Sequence, residues 1–381
     1  MVKPLENIRV LDLSRFMAGP FCGKILADLG AEVIKVEPPW GDELRYTPPF
    51  VNRVSPMFVD LNRGKRGVTI NLKTERGVEI FKGLARRSDI LIENYSVGTM
   101  SKLGIGYETL REINPRLIYV AITGFGQYGP RSKRHSFDMI GQATSGFMYL
   151  NGKEASAAVE AEIPPLLLPD AMGDSIPGVY AAISVLAALN YRALTGRGQM
   201  IDIAQQDALM YNSLSLVLYK ATGVTFLESM RKYPVGVYKT FQALDGNVAV
   251  AAPNGATVDS LNELLGVDRV DDDDVREWIR DKTMDEAMAL LTAQDIPATP
   301  IFDLEMVYED PQAKAREMMV DVEHPEAGIM SLTGIPMKFS DSPLEVETHS
   351  PTLGQDNEEI LRELLGLSRE EIDELREKVV I

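Results

Sequence analysis

The sequence predicts an α/β fold: a Rossmann-like large domain built on a parallel sheet, followed by a smaller α+β domain. Three observations lead there. Short apolar, β-branched runs alternate with helical runs as far as Thr123, the pattern that lays helices on the faces of a parallel sheet. After residue 225 a hairpin signal and acid-rich helices replace that alternation. A chain of 381 residues also exceeds one ordinary core, so two domains are expected.

The elements follow in order. Residues 8–13 and 32–37 read as short buried strands, joined by a helix over 20–29 that opens at Pro20. Val68–Leu72 reads as a strand and Glu75–Ser88 as a helix leading into the strand Ile90–Glu93. A helix over Tyr107–Ile113 precedes the strand Leu117–Thr123. Ligands of such sheets lie beyond the carboxyl ends of the strands. Glu93-Asn94, Thr123-Gly124 and the loop after Glu37 fall at those ends. From Ile176 to about Ala221 the pattern is helical, broken at Thr195-Gly196-Arg197-Gly198. Its second half, Asp202–Tyr219, is apolar enough for burial in a core or for a subunit interface. Thr240–Ala243 and Asn247–Ala251 form a hairpin around Asp245-Gly246, and acid-rich helices run from Val258 to about Ala293. Closing helices are expected over Asn357–Leu365 and Arg369–Lys378. The domain limits expected are 1–224 for the large domain and 225–330 for the small one, with 331–381 beyond it.

Composition narrows the function classes. The formal charge of −17 argues against a nucleic-acid partner. One cysteine, Cys22, permits no disulfide within the chain, and three scattered histidines without an H-x-x-x-H pair argue against a metal site. Lys3, Glu6 and Arg9 interrupt any apolar leader, and no run approaches the roughly 18 apolar residues of a membrane span. A cytoplasmic protein with no membrane partner is the expectation.

Gly173-Asp174-Ser175-Ile176-Pro177-Gly178 precedes an unbroken helical run from Val179 to Arg192. Unpaired backbone N–H groups and the macrodipole at a helix start stabilise negative charge. Gly173, lacking a side chain, would let a ligand approach the backbone. Asp174 is therefore either a cap for its helix or an anionic nucleophile or base. The run Gly124-Phe125-Gly126-Gln127-Tyr128-Gly129 matches G-x-G-x-x-G after a strand. Pro130 and the basic Arg131-Ser132-Lys133-Arg134 follow where a dinucleotide site needs a helix. The glycines suit a backbone that a ligand approaches closely. No G-x-S-x-G elbow is present, and Cys22 has no supporting neighbour, so it reads as a buried inert thiol.

Several blocks, in order, resemble the class III CoA-transferase (CaiB/BaiF) family, which includes formyl-CoA:oxalate and carnitine CoA-transferases. They are Gly173-Asp174 through Gly178, Ala187-Ala188-Leu189, and Thr195-Gly196-Arg197-Gly198-Gln199. Upstream stand Ile8–Ser14, Ala18-Gly19-Pro20, Leu26–Glu37, Asn62–Arg66, Glu93-Asn94-Tyr95, Asn114–Leu117 and Gly124–Pro130; Leu353-Gly354-Gln355-Asp356 closes the set.

The resemblance implies a transfer of CoA from an acyl-CoA to a carboxylic acid, with the CoA thioester as substrate and no resident cofactor. It implies that Asp174 attacks the donor carbonyl and passes through a mixed anhydride to an aspartyl-CoA thioester. It further implies an interlocked homodimer and a return of residues 331–381 to the large domain. CoA contacts would come from Arg15, Phe16, Met17, Ala18, Leu72, Lys73, Asn94, Tyr95, Lys102 and Asp138. Several transferases carry glutamine where this chain has Met17. Polyanionic CoA would need local positive charge, offered by Arg63, Lys65, Arg66 and Lys73 or by Arg131, Lys133 and Arg134. Oxyanion donors are expected from a glycine-rich loop; the stretch matching the family's small-domain lid is Pro253-Asn254-Gly255-Ala256. An α-methylacyl-CoA racemase is the alternative within this fold. Its histidine stands immediately before the aspartate of the D-x-x-x-Q-A-x-S-G block, where this chain has Phe137 before Asp138 and His135 further upstream. A silent acyl-CoA-binding protein is the third reading.

Overall fold

The computed structural model describes residues 2–159, 161–232, 236–346 and 348–381. They divide into two compact units: Met1–Ser213 with Glu317–Ile381, and Leu214–Arg316. The limits of the second are 214 and 316, where the sequence suggests 225 and 330.

The first unit opens with β1 (Arg9–Asp12), α1 (Ala18–Asp28), β2 (Glu32–Glu37), α2 (Pro56–Asn62) and β3 (Arg66–Thr69). It continues through α3 (Glu75–Arg86), β4 (Ile90–Glu93), α4 (Thr99–Lys102), α5 (Tyr107–Ile113) and β5 (Ile118–Thr123). Helices α6 (Asp138–Ser145), α7 (Phe147–Val159) and α8 (Met172–Thr195), strand β6 (Met200–Ala204) and helix α9 (Gln205–Tyr211) complete this stretch.

The six strands pair in the order β3-β2-β1-β4-β5-β6, all parallel. That is the doubly wound Rossmann order, in which the chain reverses its direction of travel between β1 and β4. Side chains alternate across the pleat. Leu11, Ile34, Val68 and Leu91 meet α3, α5 and the C-terminal helices on one face. Val10, Val33, Ile92, Val120 and Ile122 meet α1 and α8 on the other.

Two expectations about this unit are corrected. The run read as helical from Ile176 to Ala221 contains β6, which adds to the sheet beside β5. Met200-Ile201-Asp202-Ile203 alternates as a strand does, but its helical neighbours on both sides mask the period. The chain also holds a helix apolar enough to cross a membrane by length and composition, namely α8. Here it packs on the sheet: Ala181, Ala182, Val185 and Ala188 are buried, and Arg192 pairs with Asp89 at 2.9 Å.

The second unit comprises α10 (Leu214–Thr222), α11 (Phe226–Lys232), β7 (Val237–Gln242), β8 (Asn247–Ala252), α12 (Gly255–Leu265), α13 (Asp272–Ile279), α14 (Met284–Ala293), β9 (Ala298–Pro300), α15 (Leu304–Glu309) and α16 (Pro311–Ala315). The expected hairpin is present and β9 extends it to three antiparallel strands. The acidic run has a local cause: Asp271 caps α13 by accepting from Asp273 N–H at 2.8 Å and Asp274 N–H at 3.0 Å, where the helix dipole favours negative charge. Asn254 caps α12 in the same way, so Gly255 and Ala256 form its first turn. Helix α10 has no buried residue, which overturns burial in a core for that part of the apolar run. The chain closes in the first unit with the hairpin β10 (Met319–His324) and β11 (Gly328–Thr333), then α17 (Asn357–Leu365) and α18 (Arg369–Glu377). Ile360, Leu361, Leu364, Ile372 and Leu375 bury those two helices on the core of the sheet, the return that the family resemblance implies.

Candidate active site

Strands β1 and β4 send their following loops apart, and a cleft of about 410 Å³ opens where they separate. Arg15, Phe16, Met17 and Ala18 line it from the loop after β1; Asn94, Tyr95 and Ser96 from the loop after β4. Beyond β5 it is lined by Thr123, Gly124 and the stretch Arg134–Phe137, and beyond β6 by Gln205. Asp174, in the first turn of α8, completes the lining.

The β1 loop is held from below by buried charge. Lys65 donates to Asp12 Oδ2 at 2.8 Å and to Pro20 O at 3.0 Å. Lys35 donates to Asp42 Oδ2 at 2.9 Å and to Ser14 O at 2.5 Å. Burial raises and the lysines lower the Asp12 carboxyl, and the lysines prevail, so it stays below the usual carboxylate range. Arg63 lies buried between Asp28 and Asp60, and Arg66 pairs with Glu32 and Glu363. Arg63, Lys65 and Arg66 of the first basic cluster are therefore held in ion pairs within the fold, and the buried Arg63 and Lys65 are not free to hold phosphates, contrary to the expectation. A run of cations in sequence carries no information about which face of the chain they occupy.

From the side, Asn94 brackets Arg15: its Oδ1 accepts from Arg15 N–H at 2.8 Å and its Nδ2 donates to Arg15 O at 2.7 Å. Phe16 is thereby held in the left-handed region at φ 58°, a conformation a bulky residue keeps only when its surroundings over-determine it. Its ring meets Phe137 edge-on with centroids 5.5 Å apart. The Arg15 guanidinium pairs with Glu43 at 2.6 Å and lies 5.0 Å from the Tyr95 ring centroid. Behind Tyr95, the buried Glu93 accepts from Tyr95 N–H at 2.7 Å and Tyr119 Oη at 3.2 Å, and burial pushes its carboxyl up to about 7.

Asp174 has a different setting. Burial, and then the nearby negative charge of Asp138, push it up to about 7, against a hydrogen bond from Gln205 Nε2 to Asp174 Oδ1 that pulls it down. The helix start does not supply the free donors expected there. Gly173 N–H donates to Asp138 Oδ1 at 2.6 Å, and Asp174 and Ser175 N–H both donate to Ala171 O, at 2.9 and 3.0 Å. Nor is Gly173 bare for a ligand: a Cβ there would stand 2.4 Å from Asp138 O. Asp138 caps α8 and also accepts from Gln142 Nε2 at 2.9 Å. Gly124 likewise makes room for protein, since a Cβ there would stand 2.1 Å from Ser136 Cβ. Ser136 Oγ in turn donates to Gln205 Oε1 at 2.7 Å.

Of the expected contact residues, the structure gathers Arg15, Phe16, Met17, Ala18, Asn94 and Tyr95 with Asp174 around one cleft. The others are placed elsewhere. Leu72 packs on the core and the Lys73 ammonium lies 5.1 Å from the Trp40 ring centroid. Lys102 is exposed at the end of α4 and Asp138 lies behind Gly173. Gln205 escapes the sequence reading because β6 does, and Ser136 because its partner is Gln205, 69 residues away. Recognised as a strand, β6 would have put Gln205 at a carboxyl end, where ligands are expected.

The sequence matches the family model described as "CoA-transferase family III" over residues 5–357. The chain belongs to CoA-transferase family III. Formyl-CoA:oxalate CoA-transferase of Streptomyces avermitilis is 34% identical to it, over 100% of both chains. Human succinyl-CoA:glutarate CoA-transferase is 32% identical, over 98% of this chain and 89% of that one. The crystal structure of a CaiB/BaiF family protein from Brucella suis superposes with a TM-score of 0.82 at 33% identity, covering 96% of this CoA-transferase and 100% of that chain. Four of the family blocks reach the switch-point cleft of the class III enzyme, through Ala18, Asn94 and Tyr95, Gly124, and Asp174. Among its described residues no group of three His, Cys, Asp or Glu side chains is placed to hold a metal ion.

Proposed function

We propose that this CoA-transferase moves CoA from an acyl-CoA donor to a small carboxylic acid through covalent attachment to Asp174. The carrying observation is a carboxylate set in a switch-point cleft with one oxygen held by Gln205. Asp174 attacks the donor carbonyl, releasing CoA thiolate and leaving a mixed anhydride; the thiolate then attacks the aspartyl carbonyl, which gives the thioester and expels the donor acid as its carboxylate. The acceptor reverses the two steps and leaves as its own CoA thioester. Arg15, Phe16, Met17, Ala18, Asn94 and Tyr95 flank the acyl-pantetheine end, and the exposed Arg131, Lys133 and Arg134 supply charge for CoA phosphates. Leu72, Lys73 and Lys102, outside the lining, belong in this reading to the distal nucleotide end. Asp138 acts through Asp174 and the α8 start. CoA is substrate, with no resident cofactor.

The deciding experiment incubates the enzyme with acyl-CoA and then hydroxylamine or borohydride. Modification is expected on the peptide bearing Asp174, and Asp174→Ala and Asp174→Asn should be neither modified nor active. Trapping elsewhere, or substantial activity in Asp174→Ala, would remove this mechanism. The formyl-CoA/oxalate and succinyl-CoA/glutarate pairs that name its relatives head the panel of substrates to assay. A proton-exchange reading keeps one supporting observation: His135 lines the same cleft, its Nδ1 3.2 Å from Ser96 Oγ. Deuterium uptake at the α-carbon without transfer would favour it.

The proposal includes a family-type interlocked homodimer. Supporting it, Ile183 and Leu194 of α8 and Tyr211 of α9 are 54%, 80% and 81% exposed in the single chain. It also includes a cytoplasmic location, which suits a single buried free thiol and is checked by cell fractionation.

A further inference from the structure

We propose that the side-chain amide of Gln205 is the oxyanion donor for the tetrahedral intermediates formed at the Asp174 carboxyl carbon. The inference rests on Asp174 being the covalent nucleophile and assigns the group that stabilises its chemistry. Three observations carry it. The backbone N–H groups of Asp174 and of its neighbours in the chain, Gly173 and Ser175, are already paired within the fold. Gln205 Nε2 donates to Asp174 Oδ1, whereas Oδ2 accepts from no donor among the described residues. Gln205 is 4% exposed, and the orientation of its amide is set from both sides, since a carboxylate only accepts and Ser136 Oγ donates to Oε1.

The chemistry then divides between the two oxygens. Oδ2 attacks the acyl carbon and becomes the bridging oxygen of the anhydride, while Oδ1 remains the aspartyl carbonyl oxygen. When CoA thiolate adds to the aspartyl carbon, a C–S bond forms and the carbonyl electron pair moves onto Oδ1. Collapse restores the carbonyl and breaks the bond to Oδ2, which departs in the released carboxylate. The acceptor carboxylate adds to the same carbon, again placing charge on Oδ1, and CoA thiolate leaves. Gln205 Nε2–H lies on the oxygen where charge develops both times and transfers no proton. A donor fixed in place before reaction needs no reorganisation, and removing one such donor typically lowers kcat by about 10²- to 10³-fold.

Gln205→Met keeps the length of the side chain and removes the donor. Its kcat should fall about 10²- to 10³-fold with the KM for acyl-CoA within about threefold of wild type. Infrared spectra of the trapped adduct, with the aspartate carboxyl carbon-13 labelled, should show the thioester carbonyl at higher wavenumber in the variant. Ser136→Ala, which leaves Gln205 in place without its anchor, should give a smaller loss of the same kind and serves if Gln205→Met does not fold. Wild-type kcat and an unmoved carbonyl band in either folded variant overturn the proposal while the adduct still forms. No adduct in the wild-type enzyme overturns the nucleophile reading instead.

Discussion

At Asp174 burial and the Asp138 charge disfavour ionisation, while Gln205 favours it, and the balance stands at about 7. A nucleophilic carboxylate must be ionised, so kcat/KM should fall as pH drops through that value. Asp138→Asn removes a like charge and should move this acid limb to lower pH; an unmoved limb would mean that Asp138 serves α8 alone. The same shift bears on stability. A carboxyl whose folded-state pKa stands above its unfolded value of 3.8 contributes stability that is present below pH 3.8 and lost as pH rises to about 7. Asp174→Asn should therefore be more stable than wild type at pH 8, by about 1–4 kcal/mol at the scale of 1.4 kcal/mol per pKa unit. Urea denaturation should show that margin shrinking from pH 7 towards pH 4.

At the level of elements, the cleft depends on close approaches that small changes would spoil. Gly124→Ala would drive a methyl into Ser136 and through it displace Gln205. Activity should fall at least tenfold while urea denaturation shows a loss of about 1–3 kcal/mol, the range for overpacking. The two basic stretches should part company. Lys65→Met strips Asp12 of a buried partner and should lower stability by about 3–5 kcal/mol. Arg134→Glu, on an exposed stretch at the cleft, should instead raise the KM for acyl-CoA, by less as salt increases. Equal KM values at low salt would remove that stretch from CoA binding.

For the whole molecule, apolar side chains exposed on α8 and α9 and the unburied α10 are what a second subunit would cover. Sedimentation at micromolar concentration should give a dimer, and Ile183→Asp should weaken it. A monomeric wild-type enzyme would discard the interlocked arrangement.

Much was legible before folding. The β1–α1–β2 unit, strands β4 and β5 and the closing helices follow from local periodicity, because each buries one apolar face or run. Asp174 was reachable from its place at a helix start, whereas Asn94 and the Arg15–Ala18 loop were named as contacts only through the family resemblance. Tertiary structure decided what contiguous residues cannot encode. Lys65 turned inward because Asp12, buried at the end of β1 with β2 between that strand and β3, needed a counter-ion. Asp138 and Gln205 reached the Asp174 region from other elements, and Gly173 and Gly124 proved to be spaces filled by protein. Pairings across 31 and 35 residues of chain depend on sheet register and helix packing, and only the assembled fold brings such groups within a hydrogen bond of one another.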